Sequence, residues 1–96
     1  MMSWYHDIIM NTVRNEIELG RAIREMRKQR GLTQAELAKQ AQVSRAYVIM
    51  LEQGTGTRAE LGRAIRVVRA LGQQLALVPD TTLPYEEALQ QLLDRG

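Results

Sequence analysis

Apolar residues recur every three to four positions along the middle of the chain, which is the period of an amphipathic helix. One such helix is predicted over residues 17–30 and another over residues 59–71, where Gly72 marks its end. Between them, from Gly31 to Gly54, the pattern stops and restarts, which predicts two short helices joined by a tight turn. The residues predicted to face inward are Leu19, Ala22, Ile23 and Met26 in the first outer helix, and Leu61, Ala64, Ile65, Val68 and Leu71 in the last.

Each of the two short helices carries its own start signal. Thr33 precedes the first helix as an N-cap, and Glu36 completes a capping box three residues later. Ser44 is the corresponding N-cap of the second helix. Apolar pairs at the spacing of a hydrophobic staple flank the two caps, Leu32 with Leu37 and Val43 with Val48. Helices of about two turns are unstable alone, so we expect the outer helices to cover them. The pattern is typical of a helix-turn-helix, whose second helix can enter the major groove of DNA.

The segments on either side of residues 16–72, the predicted domain, are shorter and less regular. Residues 1–15 form an N-terminal extension, read either as a short helix or as an arm packed on a partner. Residues 80–96 form an acidic tail, with a helix predicted from Pro84 to Asp94.

Residues 73–79 contain the run QLALV and predict one short strand before Pro79. A lone strand in a helical chain has no partner for its backbone groups, so we expect it to pair with the same strand of a second copy. The alternative is an apolar extension laid on the core. The residues predicted to form the dimer interface are Gln74, Leu75, Ala76, Leu77 and Val78.

Charge is unevenly distributed, although the net charge is only +2. Residues 21–72 carry 11 Lys or Arg against four Glu, whereas the segments before and after them are acidic. The basic block coincides with the predicted helix-turn-helix, as expected of a surface that faces phosphate. No apolar run approaches the roughly 18 residues of a membrane helix, so we expect a soluble, cytoplasmic protein with no membrane partner.

The polar residues do not assemble into a catalytic or metal-binding set. His6 is the only histidine and the chain has no cysteine, which excludes a thiolate metal site. The segment Gly54-Thr55-Gly56 lacks the lysine and helix placement of a phosphate-binding loop. Nucleophile, base and orienting partner cannot be put together from what remains. We therefore expect neither an enzyme nor a metal site nor a cofactor.

One short sequence, ELGRAIR, occurs twice, at residues 18–24 and 60–66. Two copies are too few for a repeat architecture, which needs about three units. We expect both copies to perform the same packing role, with their arginines on a solvated face.

The chain from Leu19 to Leu71 resembles the Cro-like, or XRE-type, helix-turn-helix family. Gln34 opens the first motif helix, where the family typically meets the DNA backbone, and Ala38 holds the small position at the helix crossing. Glu52 matches an acidic position that we interpret as structural. Val43, Val48 and Leu51 fall on the family's apolar positions. The resemblance implies an all-α, lambda-repressor-like bundle of four to five helices, to which the pairing strand and the tail helix are added.

Residues exposed at the start of the second motif helix are the predicted readers of DNA. Arg45 can donate two hydrogen bonds to a guanine, a contact worth about 1–3 kcal/mol of discrimination. The full set of predicted DNA contacts is Gln34, Lys39, Ser44, Arg45, Ala46, Tyr47, Met50 and Arg58. Tyr47 could instead fold back onto the domain, and Ile49 and Met50 could simply extend the core. Two residues depart from the family pattern and leave the preferred bases open: Gln42 replaces a glycine in the turn, and Met50 stands where a polar residue is common.

The order of elements, ending in GQQLALVP, looks like that of HipB-type antitoxins. That resemblance implies a homodimeric autorepressor that binds a palindromic operator on double-stranded DNA together with a HipA-like kinase toxin. Two alternatives stay open: a phage-type or free-standing repressor, and a protein-interaction module that keeps the fold without reading DNA. The acidic tail and the apolar Ile49 and Met50 favour the interaction module slightly.

Overall fold

The computed structural model describes residues 12–55, 59–80 and 85–94. Most of the N-terminal extension, residues 1–11, lies outside the described residues, so its prediction is untested. Within the described ranges the chain is helical and contains no strand. The five helices are α1 (Glu16–Gln29), α2 (Gln34–Ala41), α3 (Arg45–Gln53), α4 (Leu61–Ala70) and α5 (Tyr85–Leu93).

The starts of the first three helices are set by side-chain caps. The Thr33 hydroxyl accepts from the Glu36 N–H at 3.0 Å, and the Glu36 carboxylate accepts from the Thr33 N–H at 2.8 Å. This confirms the predicted capping box. The predicted cap of α3 is confirmed too, since Ser44 Oγ accepts from the Tyr47 N–H at 3.1 Å. Asn15 caps α1 in the same manner, a start signal that the sequence analysis missed.

In the described residues, four of the helices end at a residue in the left-handed conformation. These residues are Gly31 (φ 68°), Gln42 (φ 59°), Gly54 (φ 70°) and Gly72 (φ 76°), at the ends of α1, α2, α3 and α4. At the end of α2, Gln42 N–H donates to Lys39 O at 3.2 Å and Val43 N–H donates to Ala38 O at 3.0 Å. The equivalent pairs at Gly31 and Gly72 complete the same Schellman arrangement. The helix ends predicted at Gly31, Gly54 and Gly72 are confirmed.

The core lies where α1 packs on α3, α3 on α2, and α2 on α4. Its buried members are Ile23, Leu37, Ala38, Ala41, Tyr47, Val48, Leu51, Ala64, Val67, Val68 and Leu71. Gly20 allows α1 and α3 to approach closely, because a β-carbon there would clash with the carbonyl oxygens of Leu51 and Glu52. This core fixes the directions of α2 and α3.

The inward face predicted for α4 is partly wrong. Leu61 is 67% exposed, whereas Val67, which was not predicted to face inward, is fully buried. The buried stripe consists of Ala64, Val67, Val68 and Leu71, an i, i+3, i+4, i+7 pattern. Leu61 is the first residue of α4 and lies beyond the part of the helix that packs on α2.

The two copies of ELGRAIR bury different faces, so the expectation of one shared packing role is wrong. In the first copy Gly20 and Ile23 are buried against α3. In the second copy Gly62 has no heavy atom within 4 Å of its would-be β-carbon, and Ile65 is only half-buried. The buried faces differ because the two helices pack on different neighbours. The helix α1 packs on α3, whereas α4 packs on α2 through residues further along the helix.

Residues 73–80 follow α4 and are exposed throughout, and Val78, Pro79 and Asp80 line a depression with residues 12–14. Leu77 is 95% exposed and Val78 is 58% exposed. The strand predicted over residues 74–78 has no neighbouring strand among the described residues of this single chain, and a strand needs one to form its ladder. Its pairing across a dimer therefore stays a prediction. Among the described residues, no helix combines the length and apolar character needed to cross a membrane.

Candidate nucleic-acid interface

The helices α2 and α3 pack against each other and are joined by only three residues, Gln42 to Ser44. The side of α3 facing away from the core begins with Ser44, Arg45 and Ala46, all of which are exposed. One turn later Ile49 and Met50 are half-buried, and Met50 also packs against the core. Of the predicted reading residues of α3, Ser44, Arg45 and Ala46 thus form one exposed surface, whereas Met50 is half-buried and Tyr47 is buried.

Tyr47 belongs to the core, contrary to its predicted place on the DNA-contacting face. Its side chain is only 8% exposed, and its hydroxyl donates to the Glu60 carbonyl at 2.9 Å. Burial raises the pKa of the Tyr47 hydroxyl, and the Arg63 guanidinium lies 5.9 Å from the ring centre. The i, i+4 spacing from Tyr47 to buried Leu51 was the signal that could have placed it. Tyr47 therefore joins α3 to the start of α4.

A buried ion pair fixes α3 against α1. Arg27 Nε donates to Glu52 Oε2 at 2.6 Å and Arg27 Nη2 donates to Oε1 at 3.0 Å. The third guanidinium nitrogen, Nη1, donates to the Leu32 carbonyl at 2.8 Å. The side chains are 11% and 4% exposed, and the hydrogen bonding of the Arg27 guanidinium to the Glu52 carboxylate raises the pKa of Arg27. Glu52 therefore has the structural role that the sequence assigned to it.

The ion pair of Arg27 was not predicted from the sequence. Its signal was nevertheless present: Gly20, Ile23 and Arg27 follow one another at helical spacing on the buried side of α1. The bidentate geometry, together with the Leu32 contact, satisfies the desolvated guanidinium.

Gln34 connects α2 to the same pair. Its side-chain Nε2 donates to Glu52 Oε1 at 3.2 Å, and the residue is half-buried. The first N–H groups of a helix have no partner within that helix, so those of Gln34 and Ala35 point toward the N-terminal end of α2. The contact to Glu52 holds the predicted backbone-binding residue in place.

A shallow depression of about 520 Å³ lies at this end of α2. It brings Gln34 of α2 together with Arg45 of α3, two residues that the sequence analysis predicted to contact DNA. A helix N-terminus beside a guanidinium is suited to bind a phosphate group. The complete lining is Arg27, Gly31, Leu32, Thr33, Gln34, Ala35 and Arg45.

Of the predicted contacts that fall in the described residues, Gln34 and Arg45 line this depression and the others do not. Lys39 is exposed in the last turn of α2, at the opposite end of that helix. Arg58 lies outside the described residues, so its prediction is untested. Among the described residues, no cluster of His, Asp or Glu could hold a metal ion.

Arg66 contacts the turn of the motif and was not predicted to do so. Its Nε donates to the Ala41 carbonyl at 3.2 Å and its Nη2 donates to the Gln42 carbonyl at 3.4 Å. The sequence carries no local signal for this contact, because 24 residues separate Arg66 from Gln42.

Comparison with known proteins agrees with this geometry. Residues 23–78, which contain α2, the turn, α3 and α4, match the helix-turn-helix family. The chain is also 48% identical over 52 residues to an uncharacterized HTH-type transcriptional regulator of Methanothermobacter thermautotrophicus strain Delta H. That alignment covers 54% of this chain and 74% of the relative. The chain belongs to the XRE-type helix-turn-helix family.

Proposed function

We propose that the protein is a DNA-binding transcriptional regulator that reads base edges in the major groove with α3. The observation that carries the proposal is the exposed start of α3, where Arg45 and Ala46 project from a helix fixed on its other side. A guanidinium in this position suits the O6 and N7 acceptors of guanine, and an alanine methyl suits a thymine methyl.

Phosphate contacts would orient this helix in the groove. The N-terminal end of α2 opens onto a depression beside α3, and residues 21–72 carry a balance of positive charge. Binding of several phosphates releases counterions, so the affinity of the protein for any duplex should fall steeply as salt rises.

We further propose that the protein acts in the cytoplasm as a homodimeric repressor on a palindromic operator. Two copies would present their α3 helices about 34 Å apart, matching half-sites one DNA turn apart. The exposed apolar residues after Gly72, such as Leu77 and Val78, support a surface that a second copy covers.

The role of antitoxin in a HipBA-like module is the narrower form of this proposal, and it rests on the resemblance of the element order. A neighbouring gene for a kinase-like protein would support it, and co-purification of that kinase with the chain is its direct test. A neighbouring phage operon would instead favour a lysogeny-type repressor.

To test the DNA-reading proposal, duplexes that bind the wild-type protein are first selected from random DNA. The affinity of the Arg45→Ala variant is then measured for a selected duplex and for a scrambled one. We expect Arg45→Ala to lose on the order of tenfold to a hundredfold in affinity for the selected duplex and much less for a scrambled one. Arg21→Ala, an exposed arginine on α1, is the matched control for charge.

Equal losses on both duplexes would show that Arg45 contacts only phosphate. If the wild-type protein enriches no sequence at all, the chain is an interaction module and the proposal is wrong.

A further inference from the structure

The turn between α2 and α3 contains a strained residue. Gln42 has φ 59° and ψ 44°, and it is the one non-glycine residue with a positive φ in the described part of the chain. The equivalent positions at the ends of α1 and α4 are Gly31 and Gly72. A side chain is disfavoured in this conformation, and such strain persists where surrounding contacts hold the backbone.

Arg66 supplies that contact from α4. The Schellman arrangement uses the carbonyls of Ala38 and Lys39, which leaves those of Ala41 and Gln42 pointing out of the end of α2. The guanidinium of Arg66 donates to both of these carbonyls, at 3.2 Å and 3.4 Å. A cation at this end of a helix is also favoured by the helix dipole.

The backbone of Arg66 belongs to a packed helix, although its side chain is exposed. Its neighbour on α4, Val67, is fully buried, and α4 packs directly on α2. Arg66 therefore joins the strained turn to a helix that packs on α2.

We propose that Arg66 is a positioning residue for DNA reading, an inference that rests on the proposed function of α3. The turn sets the direction in which α3 leaves α2, and Arg45 lies only three residues after Gln42. By holding the Ala41 and Gln42 carbonyls, Arg66 fixes where the Arg45 guanidinium lies in the groove. Arg66 affects DNA reading by holding the turn in position, whereas an ordinary basic residue would contact phosphate directly.

The test compares Arg66→Ala with Arg69→Ala, an exposed arginine in the last turn of the same helix. Affinities are measured for a duplex selected by the wild-type protein and for a scrambled duplex of equal length. Arg66→Ala should lower the ratio of the two affinities about tenfold, in the range that one bidentate base contact provides. Arg69→Ala should leave the ratio unchanged. Arg66→Lys keeps the positive charge but loses the forked guanidinium, so its ratio of affinities should be intermediate. Arg66→Lys replaces Arg66→Ala if the alanine variant does not fold.

Rescue separates positioning from a general loss of stability. Gln42→Gly removes the strain at the turn, so adding it to Arg66→Ala should restore much of the affinity ratio. Amide exchange at Val43, whose N–H donates to Ala38 O, should be faster in Arg66→Ala and slower again in the double variant.

The inference is overturned if Arg66→Ala weakens both duplexes equally and lowers the salt slope by about one, since that is the behaviour of a phosphate contact. Unchanged exchange at Val43 also overturns it. If the wild-type protein selects no duplex, both the proposed function and the role of Arg66 in DNA reading are wrong. The exchange rate at Val43 still shows whether Arg66 holds the turn.

Discussion

Gly20 and Gly62 occupy the same position in the two copies of ELGRAIR, yet only Gly20 lies against another backbone. A β-carbon at Gly20 would lie 2.8 Å from the Glu52 carbonyl oxygen and closer still to that of Leu51. A β-carbon at Gly62 would meet no atom within 4 Å. Backbone atoms of a packed helix cannot move aside as a flexible side chain can, so the two glycines should respond oppositely to the same substitution.

Gly20→Ala should destabilise the protein by about 1–3 kcal/mol or more, because it forces α1 away from α3. Gly62→Ala is its matched partner and should raise the free energy of unfolding by up to about 1 kcal/mol, since alanine is the better helix former. Urea unfolding of the two variants measures both effects. A neutral Gly20→Ala would contradict the close approach of the two helices.

At the residue scale, a feature is predictable from the sequence when the residues that cause it lie close together in the chain. The caps at Thr33 and Ser44 depend on residues three positions apart, and the sequence predicted them correctly. The environments of Arg27 and Tyr47 depend on Glu52 and Glu60, which lie 25 and 13 residues away. Sequence spacing alone cannot show which distant residue a buried side chain meets, so the ion pair of Arg27 was not predicted and Tyr47 was misplaced.

At the scale of elements, α1 and α3 share the ion pair of Arg27 and Glu52, and α2 joins it through Gln34. Breaking one partner of such a pair leaves the other buried without compensation. The ion pair is therefore the contact that keeps the three helices in one arrangement.

Glu52→Gln should lower the free energy of unfolding by about 3–5 kcal/mol, the loss expected for one partner of a buried pair. The double variant Arg27→Met with Glu52→Leu should recover a large part of this loss, because no buried charge remains. Arg14→Met, which breaks the exposed pair with Glu18, is the control and should cost no more than about 1 kcal/mol. Equal effects of Glu52→Gln and Arg14→Met would contradict the buried role.

Because of the capping box of α2, the free energy of unfolding should vary with pH in the acid range. The hydrogen bond from the Thr33 backbone, followed by that from its side chain, lowers the pKa of Glu36 below its ordinary 4.5. A lowered carboxyl pKa stabilises the fold above the unfolded value, and this contribution is lost as pH falls through the folded value. Glu36→Gln keeps a capping amide but does not titrate.

The difference in free energy of unfolding between wild type and Glu36→Gln should therefore shift in favour of the variant as the pH falls from about 6 to about 3. Thermal unfolding over that range measures the shift. Two parallel stability curves would show that Glu36 makes no titrating contribution.

At the scale of the whole molecule, the apolar surface is concentrated after the domain. Of the large exposed hydrophobic residues in the described ranges, Ile17 and Leu61 precede Gly72, and the others follow it: Leu75, Leu77, Val78, Leu89, Leu92 and Leu93. The sequence predicted the helical domain without a partner, because its own helices cover it. The pairing of residues 74–78 stays a prediction, since it would need a second chain.

Ala76→Pro removes a backbone N–H from the centre of the predicted pairing strand and should convert a dimer into a monomer. Ala76→Ser, which keeps the N–H, should remain dimeric. Sedimentation of the two variants at several concentrations checks the result. If the Ala76→Pro protein is still a dimer, the dimer interface lies outside residues 74–78.

The confinement of the core to the stretch that ends at Leu71 also governs the order of folding and assembly. Small helical domains with contacts between neighbouring elements fold in about microseconds to milliseconds, a first-order process independent of protein concentration. Dimer formation through an external segment would be second order and would follow it. For a regulator that reads a two-fold operator, occupancy would then rise with the square of the monomer concentration at low levels, so that small changes in synthesis produce a sharp response.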